Sequence, residues 1–409
     1  MEYNSLISMY YKLNKKGDYK KEVENRINSY STVKTDLFIK PVEKGVRLSE
    51  PTFELFYVLI RENHLLEYAV MENSSTIKRI TSELPRSAER MLMVNYLVEE
   101  IKSSNDMEGV KSTRKEISDA IQNKSSRKKL RFRGIAKKYN NFLQDKFEII
   151  NNVETFRTIY DELFTDDIDI SDMPDGELFR KDNVFVGKGN RNVHQGNIGE
   201  KSITDDLGKL IIFMNRKDLT PIIKAIITHY FFEYIHPFYD GNGRMGRFIM
   251  ASYLARKLDL FTGVSISNSV FKNKESYRSM FVDTSNKRNC GDMTLFIHSF
   301  LKIITDGQEK IIDEFKSLHD RLSHARNNIA KLDITDVSRN VLFVIVQNYL
   351  FDSYSGQPLT DNEIMEIMDI SRHILNKELV ELANKGLVEK RGKRPTYHIL
   401  SKKMEDILI

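Results

Sequence analysis

The stretch from Thr220 to Leu254 constrains this chain most, because two apolar helices must meet there across a short polar loop. Thr220-Pro221 reads as an N-cap followed by proline at the first helical position. Ile222, Ile223, Ile226, Ile227, Tyr230, Phe231 and Tyr234 then carry a broad apolar face up to Ile235. Pro237 stops that helix and leaves His236 at its C-terminal end. Phe248, Ile249, Tyr253 and Leu254 keep helical spacing on the far side, in a second helix starting near Arg244. His229, inside the first apolar run, reads as a packed structural histidine.

The loop and its flanks, His236-Pro-Phe-Tyr-Asp-Gly-Asn-Gly-Arg-Met-Gly-Arg247, concentrate chemistry. His236 can exchange a proton near neutral pH. Asp240 is a hard carboxylate suited to Mg²⁺. Gly241, Asn242 and Gly243 form a turn that exposes backbone N–H groups at a helix N-terminus, where anions bind. Arg244 and Arg247 lie three apart on one helix face and can fork onto phosphate oxygens. Together these groups describe a site for a nucleotide polyphosphate.

Composition excludes several classes. Cys290 is the single cysteine among 409 residues, which rules out an internal disulfide framework and a cysteine-rich zinc site. A reducing cytoplasm is the simplest home. The chain opens polar at Met1-Glu2-Tyr3-Asn4, with no leader pattern. Lys224, His229 and Glu233 interrupt the longest apolar run, so no membrane span is expected. The net charge of +5 is mild and informative only where basic residues cluster.

The dodecamer matches at every specified position the signature H-P-F-x-[D/E]-G-N-G-R-x-x-R, and the chain thereby resembles the Fic (filamentation induced by cAMP) family. Ser103-Ser104-Asn105-Asp106-Met107-Glu108-Gly109-Val110 looks like that family's inhibitory motif, [S/T]-x-x-x-E-[G/N], with Ser104, Glu108 and Gly109 at its defining positions. The resemblance implies a mainly α fold: a Fic helical core with a small β-hairpin flap, N-terminal helices before it and a winged helix-turn-helix domain after it. The implied boundaries are 1–120 for the N-terminal region, 121–305 for the core, 306–335 for a helical linker and 336–409 for the winged helix. The implied activity is protein adenylylation, with AMP passing from ATP·Mg²⁺ to a Tyr, Thr or Ser hydroxyl of a target protein. His236 is then the base and Asp240 the Mg²⁺ ligand. Gly241, Asn242, Gly243, Arg244 and Arg247 hold phosphates, while Tyr277 and Gly291-Asp292-Met293-Thr294 approach the adenine. Glu108 is implied to pair with Arg247 and hold the enzyme off. Family members often carry tryptophan in the later segment, and this chain has none. Transfer of another group such as UMP or phosphocholine, removal of AMP from a target, and nucleotide sensing by a DNA-binding regulator stay open, as does a homo-oligomer.

The rest is read by pattern. Residues 1 to about 50 show weak periodicity, with Leu37, Phe38 and Ile39 set against later helices. Phe53, Phe56, Tyr57 and Ile60 suggest a helix from Phe53 to Ala69, and Ser87 reads as the N-cap of another through Ile101. Leu178-Phe179-Arg180 and Val184-Phe185-Val186 flank Lys181-Asp182-Asn183 in a hairpin-like pattern. By the resemblance the flap over the site includes Phe185, Val186 and His194. Residues 124 to 138 carry eight bases and no acid, read as a solvated face in preference to a nucleic-acid patch. Near the C-terminus Val337–Leu350 is helical, Thr360 and Ser371 cap two further helices, and Lys390-Arg391-Gly392-Lys393-Arg394 forms a basic wing. DNA binding and protein docking are both open for that wing.

Overall fold

The computed structural model describes residues 3–12, 16–122, 130–164, 167–188, 191–351, 358–392, 396–402 and 404–405. The chain divides into two compact units, one of residues 1–75 and 100–308, the other of 76–99 and 309–409.

In the first unit, α1 (Leu6–Lys12) and α2 (Lys16–Ile27) lead into β1 (Thr32–Ile39). Next come the two-residue strands β2 (Val42–Glu43) and β3 (Val46–Arg47), and then β4 (Phe53–Val58). β1 and β4 pair antiparallel from Thr32↔Val58 to Ile39↔Phe53, with an irregularity between Lys34 and Phe38. The helix expected from Phe53 is therefore a strand as far as Val58, and α3 (Arg61–Ser82) begins only afterwards. The apolar spacing in so short a run fits either element; three consecutive buried residues, Leu55, Phe56 and Tyr57, are natural in a strand covered on both faces. In β1, Leu37 and Ile39 are buried and Phe38 between them is exposed, as strand alternation requires.

α4 (Arg86–Met107) starts at Arg86, so Ser87 lies inside its first turn and is not the N-cap. Its hydroxyl instead donates to Gln347 Oε1. α5 (Arg114–Ile121), α6 (Arg133–Phe142) and α7 (Val153–Phe164) follow. Thr113 closes a capping box with Glu116 at the start of α5. Of the basic run, Lys124, Arg127, Lys128 and Lys129 lie outside the described residues. Lys138 pairs with Glu148 and Glu162, and Arg131 with Glu116.

The flap is the hairpin of β5 (Phe185–Lys188) and β6 (Arg191–Gln195). It lies further along than the pattern around Lys181-Asp182-Asn183 indicates. Residues 178–180 are not a strand, because Glu200 Oε1 takes the N–H groups of Leu178 and Phe179, which a ladder would need.

After α8 (Glu200–Met214) comes the centre of the unit, α9 (Pro221–Ile235) and α10 (Asn242–Lys257). Each buries twelve of its residues, so both are sheathed on nearly every side. α11 (Leu260–Gly263), α12 (Ile266–Lys272), α13 (Lys274–Thr284) and α14 (Thr294–Ala330) complete the helices around them.

In the second unit, α15 (Asp336–Phe351), α16 (Asp361–Met368) and α17 (Arg372–Asn384) precede an antiparallel hairpin of β7 (Val388–Arg391) and β8 (Tyr397–Leu400). A further bridge joins Thr360 to Tyr397. Thr360 caps α16 with a full capping box, Ser371 caps α17, and Gly386 beyond α17 takes φ 69°. Lys393 and Arg394 of the wing lie outside the described residues. Among the described residues no helix is long and apolar enough to cross a membrane.

Candidate active site

Thr220 accepts from the Ile223 amide at the start of α9, with Pro221 at the first turn. At the other end His236 takes a left-handed conformation, φ 54° and ψ 64°, while its N–H still reaches the Phe232 carbonyl. A left-handed non-glycine residue at a helix end is strained by roughly 1 kcal/mol or more and needs support from its surroundings. Arg180 supplies it. This arginine is fully buried, and its Nε donates to the His236 carbonyl at 2.8 Å. Its Nη1 reaches the Asp182 carbonyl and its Nη2 the Asn197 carbonyl, so one guanidinium ties the end of α9 to both sides of the flap. Burial lowers the Arg180 pKa to about 10, which still leaves it charged at neutral pH.

The loop after Pro237 is locked by Asn242. Its Oδ1 accepts from the Phe238 amide at 2.9 Å and its Nδ2 donates to the Phe238 carbonyl at 2.7 Å. These two bonds make the side chain shape the loop, and the second Nδ2 hydrogen is left over for the phosphate role expected of it. Phe238 stacks on Tyr160 with 3.8 Å between ring centres, which pins the loop to α7. Gly241 then enters α10 at φ 85°, a conformation suited to glycine, and no side chain caps that helix. The first-turn N–H groups around Gly243 are left for an anion.

Asp240 is the exposed group, with its side chain 46% accessible. One carboxylate oxygen accepts from the Gly241 amide and the other from Arg244 Nη2 at 2.9 Å. Arg244 is itself buried, with its guanidinium 4.6 Å from the Phe164 ring centre.

Arg247 is buried and bonded to the last turn of α4 and to Glu108 just beyond it. Its Nε donates to Ser104 Oγ and its Nη2 to the Ser104 carbonyl, each at 3.1 Å; Nη2 also donates to Glu108 Oε1 at 2.7 Å. Glu108 rests over the start of α10, where a Cβ on Gly243 would stand 2.1 Å from Oε1. Burial alone would raise the Glu108 pKa, but Arg247, then Arg244 and His236, hold it below the usual carboxylate value. Gly109 ends the motif with φ 74°. Ser104, Glu108 and Gly109 are thereby placed at the signature helix.

His236 is held neutral. Burial, with Arg180 beside it, lowers its pKa to about 4. Its Nδ1 is buried and lies 4.0 Å from Glu233 Oε2. Tyr277 is also buried, its hydroxyl 2.7 Å from His229 Nε2, so it lies beneath the site with its polar end committed. His229 is the packed structural histidine expected, its pKa lowered to about 3 by burial. The segment Gly291-Asp292-Met293-Thr294, expected near the adenine, is tied into the amino-terminal strands. Asp292 binds Arg26 and Tyr3, and the Met293 amide donates to the Phe56 carbonyl.

On the flap, Val186 pairs with His194 and Phe185 with Gln195. Phe185 is 45% exposed, whereas the His194 Nε2 sits 2.8 Å from the Tyr234 carbonyl at the flap's base. Burial holds His194 neutral, with a pKa near 3. Behind the flap, Arg47 of β3 stacks 3.9 Å from the Tyr234 ring centre. It donates to Asn197 Oδ1 and to the Gln195 and Tyr234 carbonyls. Sequence reasoning singled out neither Arg47, Arg180 nor Glu233 as functional. Only a helical wheel linking Glu233 to His236, three residues apart, offered a signal.

Residues 151–254 match the family model described as the Fic/DOC family. A probable protein adenylyltransferase of Aquifex aeolicus is 40% identical over 65 residues, which are 16% of this chain and 18% of the relative. A protein adenylyltransferase Fic of Culex quinquefasciatus is 28% identical over 163 residues, 37% of this chain and 27% of the relative. The chain therefore spans about a fifth to a quarter of these relatives' length. Among solved structures, a Fic family protein from Desulfovibrio desulfuricans shares the fold with a TM-score of 0.54 and 18% identity. That likeness covers 85% of this chain and 98% of the other.

Proposed function

We propose that this chain, whose residues 151–254 carry a Fic/DOC family domain, is a protein adenylyltransferase held off by its own Glu108. The observation that carries the reading is the ion pair of Glu108 with Arg247, which occupies the second arginine of an otherwise complete polyphosphate site. Relatives named adenylyltransferases support the reaction type.

With Glu108 withdrawn, Arg247 and Arg244 bind phosphate oxygens and the open N-terminus of α10 receives the polyphosphate. The neutral imidazole of His236 takes the proton of the target hydroxyl. The hydroxyl oxygen bonds to the α-phosphorus, the bond from that phosphorus to the bridging oxygen breaks, and pyrophosphate leaves. A positioned base of this kind contributes roughly 10²–10⁴-fold. Asp240 fits a Mg²⁺ role because a single exposed carboxylate beside a phosphate site is the donor set such an ion uses together with substrate oxygens. Bound there, the ion would neutralise charge on the polyphosphate. Phe185 and Val186 present the exposed strand that would align a target segment.

The test is transfer of label from α-³²P-ATP with Mg²⁺, comparing wild type, Glu108→Gly and Glu108→Gly combined with His236→Ala. Labelling of the protein itself or of lysate proteins should rise in the first variant and vanish in the second. A Glu108→Gly protein that binds ATP yet labels nothing would overturn adenylylation in favour of another nucleotide or of AMP removal.

A second reading concerns the carboxy-terminal unit. We read the order α15, α16, α17 and hairpin, with Thr360 bridged to Tyr397, as a winged helix, and α17 exposes Arg372, Asn376 and Lys377. We read it as a DNA-binding module. Binding to duplex DNA should weaken steeply with salt, and the Arg372→Ala/Lys377→Ala variant should show a shallower salt slope. Retention of the full slope would exclude α17 from the interface.

A further inference from the structure

Glu233 lies one turn before His236 on α9, and its carboxyl group is divided between two environments. Oε2 is 4.0 Å from His236 Nδ1. Oε1 is buried and accepts no hydrogen bond among the described residues. It fits only because position 246 is glycine: a Cβ there would stand 2.2 Å from Oε1 and 3.1 Å from the Phe232 ring. Neither Glu233 nor Gly246 is a specified position of the signature, yet each occupies space the other needs. The groups facing the carboxyl are Arg247 from α10, Glu108 just after α4, Tyr277 from α13 and His236 at the end of its own helix. Burial raises the Glu233 pKa to about 8, with Glu108 adding to the rise and Arg247 opposing it.

We propose that Glu233, seated against Gly246, is the positioning residue of His236: it backs the imidazole on the Nδ1 side, leaves Nε2 as the proton acceptor, and in its ionised form stabilises the imidazolium. This deepens the adenylyltransferase reading and rests on it for the catalytic consequence, though not for the coupling between the two side chains. In the reaction the target's O–H bond breaks as the Nε2–H bond forms, and positive charge appears on a ring that burial keeps neutral. A carboxylate 4.0 Å from Nδ1 then supplies compensating negative charge from the protein once Glu108 has moved away. Base, nucleophile and orienting group then follow the general logic of an activated hydroxyl.

Two measurements test this, and only one depends on activity. First, the ring nitrogens of His236 are followed by NMR in histidine-labelled protein from pH 6 to pH 9.5. Wild type should show an inflection near the Glu233 value of about 8, well above the titration of His236 itself. Glu233→Gln should abolish it, and Gly246→Ala should abolish or displace it by pushing the carboxyl aside. An inflection that survives Glu233→Gln, or none in wild type, overturns the proposal. Glu233→Gln keeps the side-chain volume, so a loss of the inflection in that variant reports the carboxyl and not a change of packing.

Second, in the Glu108→Gly background, kcat should rise through an alkaline limb as Glu233 ionises. Adding Glu233→Gln should flatten it, lowering kcat about tenfold at alkaline pH and far less at pH 6.5, with KM for ATP unchanged. An equal loss at every pH would mark Glu233 as structural only. If no variant transfers label while the NMR inflection behaves as expected, the adenylyltransferase reading fails and the Glu233–His236 coupling stands.

Discussion

At the scale of single residues, the Glu108–Arg247 pair is supported by a group that adds hydrogen bonds without charge. Ser104 offers both its hydroxyl and its carbonyl to the buried guanidinium. Ser104→Ala removes the hydroxyl and leaves a buried Nε–H unpaired, at a cost of roughly 1–3 kcal/mol. That weakens the closed arrangement while leaving Glu108 in place. Basal label transfer should therefore rise severalfold, yet stay below that of Glu108→Gly, where the whole pair is lost. A Ser104→Ala protein as inactive as wild type would show that Glu108 alone sets the closed state. Glu108 itself should stay ionised across the neutral range. The Glu108 pKa is depressed, so its stabilisation is complete above the ordinary carboxylate value and fades only in strong acid. His236, Asp240, Arg244 and Arg247 were legible from the sequence because their identities and spacing define the chemistry. Arg180 and Arg47 were not. Most of their partners are backbone carbonyls, which any sequence supplies and which only the fold brings together.

At the scale of elements, the flap depends on the small hairpin of β2 and β3. Gly45 lies so close to β6 that a Cβ would stand 2.3 Å from the Asn192 carbonyl oxygen, and Arg47 anchors the adjacent residues Gln195 and Asn197. Arg47→Ala removes this brace and exposes carbonyl acceptors to water. Hydrogen exchange at Phe185 and Val186 should accelerate, and in the Glu108→Gly background KM for a protein target should rise while ATP affinity holds. Unchanged exchange at the flap would dismiss the brace. Capped helices were readable in advance, as at Thr220, Thr360 and Ser371, where the cap chemistry is local. The β1–β4 pair was not, because its partners are separated by a stretch with no turn-specific pairing signal and its apolar spacing also fits a helix. The flap was displaced in the reading for a related reason: the Glu200 carboxylate claims the amides that would have started the strand earlier.

At the scale of the molecule, the first unit buries several ionisable groups in their neutral forms, and they oppose one another as pH changes. His194 and His229 have pKa values near 3 and His236 near 4, against an ordinary value of about 6.5. Below about pH 6.5 the unfolded chain binds protons that these folded histidines refuse, so stability falls as pH falls. Glu100 and Glu233 are raised by burial to about 7 and about 8. Above the ordinary carboxylate value the folded state holds protons that the unfolded chain has released, so their contribution is lost as pH rises through those values. Near pH 5.5 three histidines outweigh two glutamates by about one proton, and near pH 7.5 the balance reverses by about one. Each limb then slopes by about 1 kcal/mol per pH unit, with the maximum near pH 6.5. Hydrogen exchange of the α9 amides, corrected for intrinsic rates and measured from pH 5 to pH 8, should show protection peaking near that value. Glu233→Gln should nearly flatten the alkaline limb and steepen the acid limb to about two protons' worth, because Glu233 no longer offsets a histidine there. Protection that rises steadily from pH 5 to pH 8 would mean that the two glutamates are ionised in the folded unit, with the buried carboxyl beside His236 already charged at neutral pH.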